Sequence, residues 1–436
     1  MTHTEPQALE PRLPWRNGLA YGLLGLPLAF AALPLYVVLP HHYASDLGLP
    51  LATVGALLML VRLIDAGAEP LLGRLSDLLY RRNLRAVLWS AGASALLLGS
   101  GMVALYFPRV QEPAALAAWM VAGLLFTCLA HSLLVIAHQA WGVRLGGNAV
   151  QRSRIVAWRE GPGLVGVITA SALSVAWGAG TMLTVFALAL LTGWLVLWHA
   201  PRPPVSAVPG GEATRYRPRL WQPLAEAGFR RLLLVFLCNG IASAIPAALM
   251  LFFAQDRLQA TQPQIALFLV LYFVSGALSM PVWVRAVRRC GLERAWLAGM
   301  LLAVTCFGWA AGLGSGQVVA FGAICVLSGA ALGADLAVPG ALLALLIERR
   351  GAQGAHDGAY LGWWNLATKL NLALAAGATL PLLQWLGYTP GSQDALALQR
   401  LAWIYALLPC ALKLLAAWLL HRLLITSPQP SQGVNP

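Results

Sequence analysis

The chain has 436 residues, of which 59% are hydrophobic and only 10% are charged, and its formal net charge is +13. So small a polar fraction excludes a water-soluble globule of this length, because it could not cover the surface. The positive charge comes from 27 Arg and 2 Lys dispersed over short loops, which argues against nucleic-acid binding, since that requires one basic face or tail.

The apolar segments are 18 to 28 residues or longer between polar or Pro/Gly breaks. This length suits helices that cross roughly 30 Å of hydrocarbon and exceeds the ~10-residue strands of an outer-membrane barrel. The sequence therefore predicts an all-α integral membrane protein with twelve transmembrane helices. The predicted spans are 17–41, 50–73, 86–107, 114–142, 158–179, 181–200, 232–255, 263–286, 294–313, 317–347, 359–386 and 399–423.

Arginines concentrate in the loops that follow the even-numbered spans, whereas the opposite loops carry chiefly Arg109 and Arg257. Cytoplasmic loops of membrane proteins are enriched in Arg and Lys, so this asymmetry predicts that both termini are cytoplasmic. The polar start of the chain is not a secretory signal, and we expect the first span to remain as an anchor in a bacterial inner membrane.

Between the sixth and seventh spans lies a segment rich in Pro, Gly and Arg, which we predict to be a cytoplasmic linker. It divides the chain into a six-helix half at 1–200, the linker at 201–231 and a second six-helix half at 232–436. The basic loop after the second span has a degenerate counterpart after the eighth. Two such pseudo-repeats are typical of the major facilitator fold.

The second span contains three ionisable residues, Arg62, Asp65 and Glu69, at spacings that place them along one helix face. Charges in the bilayer interior cost at least ~2.5 to 3.5 kcal/mol on insertion scales, so this face is expected to meet a polar cavity or a partner charge. Two carboxylates one turn apart form a candidate site for H⁺ or Na⁺, with Arg62 as an internal counter-ion. The alternative is an Arg62 to Asp65 ion pair that only fastens helices.

The loop after this span reads GRLSDLLYRRNLR. A glycine permits close helix approach, and an aspartate beside arginines can form a charge-assisted lock that breaks when the halves rock. We therefore predict a gating motif, although arginines here also follow from the positive-inside bias. Its residues are Gly73, Asp77, Arg81, Arg82 and Arg85.

Two further charges lie within spans of the second half, Asp335 and Lys369. A buried lysine needs a carboxylate partner or loses its proton, so Lys369 is expected to face the centre near Asp65 or Glu69. Asp335 is either a substrate or charge partner or a hydrogen-bonded packing residue beside Pro339.

Five stretches, among them VRLIDAGAEPLLGRLSD, QRSRIVAWRE and GAYLGWWNLATKLNLALA, resemble the glycoside-pentoside-hexuronide:cation symporter family, the melibiose permease group of the major facilitators. The family pattern R-x-x-D-A-x-x-D-P is kept with Glu69 in place of the second Asp. The resemblance implies cation coupling at Asp65 and Glu69 and a cation and substrate site at Lys369. It also implies a role for Arg159 near the sugar and the cytoplasmic gate.

The sugar-binding acids of the melibiose permeases are missing, because Ala29 and Val135 stand at their positions. Carboxylates accept hydroxyl hydrogen bonds from sugars, so their loss argues against a melibiose-like site. The nearest polar groups in the fourth span are His131, Ser132, His138 and Gln139, of which we consider His138 and Gln139 as possible substrate contacts. The resemblance extends to lysophospholipid symporters of animals, so an amphipathic or anionic cargo stays open.

The predicted function is secondary active transport by alternating access, with H⁺ or Na⁺ driving symport of a small organic solute such as a sugar or glycoside. The alternatives are transport of a lipid-like or anionic solute and a non-transporting scaffold with the same fold. An enzyme is disfavoured because no nucleotide loop or HExxH motif is present. The expected partners are the solute, the coupling cation and membrane lipid, with no cofactor, no metal site and a monomeric state.

Overall fold

The computed structural model describes residues 13–176, 178–203, 220–349 and 356–426, and within these ranges the regular structure is entirely helical. We label twelve helices in chain order. They are α1 (beginning with Trp15–Gly22 and Gly25–Phe30), α2 (Leu51–Arg82), α3 (Leu84–Tyr106), α4 (Pro113–Arg144), α5 (Ala149–Ala176), α6 (Gly178–Leu197), α7 (Ala227–Phe252), α8 (Gln262–Cys290), α9 (Leu292–Phe307), α10 (Val318–Ala337 and Pro339–Arg349), α11 (Asp357–Trp385) and α12 (Ala395–Leu420).

α1 continues through short pieces, Pro34–Val38, Leu39–His41 and His42–Asp46, of which the first and last are π-helical. Prolines along α1 remove backbone N–H donors, which accounts for the interruptions. α10 is likewise divided at Val338, directly before Pro339.

Nine of the helices in the described ranges are long and apolar enough to cross a membrane. α1, α2 and α5 do not meet these requirements of length and apolar composition. α1 is broken into short pieces, and α2 and α5 carry several charged residues. Each of the twelve predicted spans coincides with one of the labelled helices. α2 extends to Arg82, past the predicted end of the span at residue 73, so its last turns are polar.

The two predicted halves share a buried apolar core where α2, α4 and α10 end and α11 begins, which we call the arginine-rich end. Ile136, Ala140 and Val156 of the first half pack there with Trp296 and Tyr360 of the second. Two further cores lie one within each half. The contact at the arginine-rich end therefore holds the halves together on that side.

Within the predicted linker at 201–231, residues 204–219 lie outside the described residues. The first twelve and the last ten residues of the chain also lie outside them. A short helix at Gln222–Ala225 and the start of α7 at Ala227 fall inside the predicted linker. The limits of the two halves stay a prediction.

Candidate functional site

The acids of α2 meet a lysine of α11 and a serine of α4, and we call Asp65, Glu69, Ser132 and Lys369 the central cluster. Lys369 Nζ contacts Asp65 Oδ2 and Glu69 Oε1. Lys369 Nζ also donates to Ser132 Oγ over 2.9 Å, and Ser132 Oγ donates to Asp65 Oδ1 over 3.0 Å. The cluster thus joins residues 304 positions apart in the sequence.

The central cluster is nearly enclosed, yet its charges do not balance. Asp65 and Glu69 are 2% and 1% exposed, and the Lys369 side chain is 26% exposed. With all three groups ionised the net charge is −1. Glu69 Oε2 is buried and makes no hydrogen bond within the described residues. A buried oxygen without a donor is a place where a proton or a small cation would be stabilised.

Glycines bring α11 close enough to α2 for Lys369 to reach the acids. A Cβ at Gly362 would lie 2.6 Å from the carbonyl oxygen of Glu69, and a Cβ at Gly73 would collide with the carbonyl oxygen of Gly358. Small residues at such positions permit backbone contact between membrane helices. The predicted gating glycine is therefore a packing point between the two halves.

Asp77, the acid of the predicted gating motif, binds the first turn of α11. Its Oδ1 accepts from the Gly358 N–H over 2.7 Å and its Oδ2 from the Ala359 N–H over 3.0 Å. A carboxylate at a helix N-terminus satisfies free N–H groups and is favoured by the helix dipole. Asp77 thereby ties the first half to the second at the arginine-rich end.

An arginine of α4, Arg144, contacts Asp77 and the first residue of α11. Arg144 Nε lies 2.7 Å from Asp357 Oδ2, and Arg144 Nη2 lies 3.7 Å from Asp77 Oδ1. Its guanidinium also lies over the Tyr80 ring, 3.9 Å from the centroid. The neighbouring Arg152 of α5 pairs with Glu348 of α10 over 2.6 Å. Two ion pairs therefore link the halves at this end.

The predicted arginines lie on the surface. Arg81, Arg82 and Arg85 are exposed at the end of α2 and the start of α3. Arg62 is also exposed, and the cation that contacts both acids of α2 is Lys369. The roles predicted for these four arginines stay predictions.

One titratable group outside the spans sits at this lock. The pKa of the His356 imidazole is lowered from 6.5 by burial and, to a smaller degree, by the positive charge of Arg81. Burial disfavours the charged imidazolium. His356 precedes α11 directly, so its protonation bears on the same helix start that Asp77 holds.

Three other predicted site residues lie along α4 and α5 in different contacts. His138 Nε2 is 2.7 Å from the carbonyl oxygen of Tyr21, so His138 packs α4 against α1. Arg159 pairs with its neighbour Glu160 through Nε and Nη2 at 2.9 and 2.6 Å. Gln139 and Arg159 both line a small pocket between α1, α4, α5, α10 and α11. The structure does not bring these three residues into contact with the central cluster through any hydrogen bond or ion pair among the described residues.

Asp335 belongs to a second group of polar residues, and we call Asn239, Ser243, Trp296, Asp335 and Lys413 the second-half cluster. Asp335 Oδ1 accepts from Asn239 Nδ2 over 3.1 Å and from Trp296 Nε1 over 2.9 Å. Asp335 Oδ2 accepts from Lys413 Nζ over 2.8 Å and from Ser243 Oγ over 3.5 Å. Lys413 Nζ also donates to Ser243 Oγ over 2.9 Å. Every member lies in the second half.

Sequence reasoning missed the roles of Arg144 and Lys413, and it noted Ser132 only as a polar group of the fourth span. Lys413 had a usable signal, because the chain contains only two lysines and both interrupt apolar spans. Arg144 looks like an ordinary positive-inside residue, and Ser132 is a common residue in membrane helices. Neither carries a local pattern that identifies its partner.

A comparison with protein-family models matches residues 19–427 to the family described as MFS/sugar transport protein, where MFS denotes the major facilitator superfamily. A comparison of the sequence with curated proteins found no match.

Solved structures with the same fold include a bacterial homologue of the iron transporter ferroportin in an outward-facing state, at 15% identity and a TM-score of 0.67, covering 94% of this chain and 98% of that one. The human organic anion transporter MFSD10 (TETRAN) aligns at 19% identity and a TM-score of 0.64, over 93% and 99% of the two chains. The proton:xylose symporter XylE aligns at 14% identity and a TM-score of 0.65, over 94% and 95%. These likenesses confirm the predicted all-α major facilitator fold.

Proposed function

The chain belongs to the MFS/sugar transport protein family, and from this premise we propose that it couples H⁺ or Na⁺ to symport of a small organic solute. Its membership makes it a multi-pass membrane protein of a solute-transporter family, and confirms that it is not an enzyme. The coupling, the direction and the cargo are the parts that we propose.

The net charge of the central cluster is the observation that carries the proposal. Two carboxylates face one ammonium, and the buried Glu69 Oε2 makes no hydrogen bond within the described residues. One proton or one monovalent cation would bring the cluster to neutrality. Because an uncompensated charge is costly in apolar surroundings, a neutral cluster is enclosed more easily than a charged one.

The position of the cluster supports coupling as well. Its acids lie on α2 of the first half and its lysine on α11 of the second. Rocking of the halves would change the distance between Lys369 and the acids, and so their affinity for a cation. A bound cation would favour the states in which Lys369 has moved away, and this links cation binding to the change of access.

The orientation follows from charge distribution. The loops at the arginine-rich end would face the cytoplasm of a bacterial cell, with both termini on that side and the chain in the inner membrane. Contacts through Asp77, Arg144 and Arg152 close this end, which corresponds to an outward-facing arrangement. We propose a monomer as the working unit, since each cluster is completed within one chain.

The test uses purified protein in proteoliposomes with an internal pH dye, challenged with a panel of sugars and amphipathic solutes, with and without Na⁺. We expect solute-induced proton movement or Na⁺-dependent uptake, and a fall of about 100-fold in coupled uptake for Glu69→Gln, because removal of a buried, function-bearing charge acts directly on the coupling step.

Glu112→Gln is the matched control, since Glu112 is exposed and caps α4 through an oxygen that glutamine retains. It is expected to transport like the wild type. Coupled uptake that survives Glu69→Gln unchanged would exclude the central cluster as the coupling site. A chain that moves none of the solutes would favour the non-transporting scaffold.

A further inference from the structure

The second half contains a cavity that the central cluster does not use. Its volume is about 490 Å³, and its walls come from α7, α8, α9, α10 and α12. Cavities of roughly 300 to 1,000 Å³ with mostly apolar walls and a few polar groups are typical of small-molecule sites. Asp335, Lys413 and Ser243 of the second-half cluster line it, so the charged part of the wall comes from that cluster. Further hydroxyl groups on the wall belong to Ser171, Tyr272, Ser328 and Tyr405.

Most of the wall is apolar and aromatic. Phe268, Phe273, Phe307 and Phe321 line the cavity together with small residues such as Ala247. A sugar placed against such a surface would leave hydroxyl groups without partners, at a cost of ~1 to 3 kcal/mol each. An alkyl or aromatic body would gain contact with the same surface. The wall therefore favours an apolar body over a polyol.

The hydrogen bonds of the second-half cluster determine which polar group its wall accepts. The Asp335 carboxylate already accepts four hydrogen bonds from the protein, which fills its usual capacity. Lys413 donates two of its three N–H groups, to Asp335 and Ser243. The remaining N–H group of the Lys413 ammonium is a charged donor, and an anionic oxygen is the acceptor that binds it most strongly.

The cavity also reaches the first half. Leu33, Val167 and Ser171, from α1 and α5, form part of its wall, while the remainder belongs to the second half. Movement of the halves would therefore open or close this wall and expose the cavity in alternation.

From these features we propose that the cavity is the solute site and takes an amphipathic organic anion, with its apolar body along the aromatic wall and its carboxylate or phosphate at Lys413. This inference rests on the proposed transport function and names the cargo class for it. The central cluster then serves the coupling cation, and the two sites lie in different parts of the same transporter.

The binding test uses the full-length protein in nanodiscs of zwitterionic lipid and three probes with one tail and different heads, octyl phosphate, octyl glucoside and octyltrimethylammonium. We expect octyl phosphate to bind at least tenfold more tightly than the other two. Inorganic phosphate is the fourth probe, and it is expected to bind at least tenfold more weakly than octyl phosphate. Tightest binding of the cationic or sugar head, or equal binding of inorganic phosphate, would overturn the proposal.

A variant that fills the cavity locates the site. Ala247→Trp places a large side chain at an exposed position on the cavity wall, so octyl phosphate affinity is expected to fall at least tenfold. Ala320→Trp is the matched control, because Ala320 is exposed on α10 and does not line the cavity. Binding that is unaffected by Ala247→Trp, or equally weakened by both variants, would overturn the proposal.

The experiments distinguish failure of the cavity proposal from failure of the proposed coupled transport. If Ala247→Trp abolishes octyl phosphate binding but Glu69→Gln leaves solute-driven ion movement unchanged, the cavity proposal is supported and the coupling site is contradicted. Coupled uptake of a sugar with no binding of octyl phosphate contradicts the cavity and leaves the coupling proposal standing.

Discussion

The two buried clusters of charge are built from the same residue types but differ in balance and placement. The central cluster has two acids and one lysine, drawn from both halves. The second-half cluster has one acid and one lysine, both from the second half, and four hydrogen bonds hold its carboxylate. An unbalanced cluster at the boundary between the predicted halves is consistent with the proposed ion coupling, whereas a balanced one within a half is consistent with the proposed solute site.

The largest expected effect on the second-half cluster comes from Lys413→Met. It leaves the half-buried Asp335 charge without its ammonium, and removal of one partner of a buried ion pair costs about 3 kcal/mol at the lower end of measured values. The double variant Lys413→Met/Asp335→Asn is expected to regain most of that stability, since asparagine still accepts from Trp296 and Asn239. The measurement is thermal and denaturant unfolding of the purified protein.

The matched experiment in the central cluster is Lys369→Met/Asp65→Asn. Here Glu69 remains without its ammonium, and the lysine whose movement would link cation binding to the change of access is absent, so coupled uptake is not expected to return. If the double variant of the second-half cluster were no more stable than Lys413→Met alone, the idea that this pair is balanced would be wrong.

An effect of intermediate size is expected at the glycine contact between α2 and α11, which brings Lys369 close to Asp65 and Glu69. Gly73→Ala places a methyl group against the Gly358 carbonyl and separates α2 from α11. Overpacking costs about 1 to 3 kcal/mol, which shifts the closed-to-open equilibrium roughly 5- to 150-fold. Spin labels replacing the exposed Arg85 and Arg288, in a cysteine-free background, are expected to report a longer distance between the halves.

Gly67→Ala is the control for this substitution, because a Cβ at Gly67 meets nothing within 4 Å. It is expected to leave both the distance and the uptake rate at wild-type values. A Gly73→Ala protein with an unchanged distance distribution would show that the glycine contact does not hold the arginine-rich end closed.

The smallest effect concerns pH at the same lock. Burial and Arg81 lower the folded pKa of His356 from 6.5, so the unfolded chain takes up a proton before the folded one does. Stability is therefore lost as the pH falls below 6.5. We expect the melting temperature to fall less between pH 7 and pH 5.5 in His356→Gln than in the wild type. Equal falls in the two proteins would assign the pH dependence to other groups.

The sequence alone determined the helices, the number of spans and the acids of α2. The helices and spans follow from local properties, because the length of an apolar segment and the helical period are both recognisable within about twenty residues. The rarity of charge inside such runs also identified Asp65, Glu69, Asp335 and Lys369 as residues that require partners.

Only the tertiary structure decided which partners meet. Lys369 contacts Asp65 across 304 positions, and Arg144 of α4 joins Asp77 and Asp357. The pairing of Asp335 with Lys413, and the cavity that both line, likewise depend on how α7, α10 and α12 pack. The physical reason is that a charge pair depends on distance in space, which helix packing sets and which no local pattern encodes.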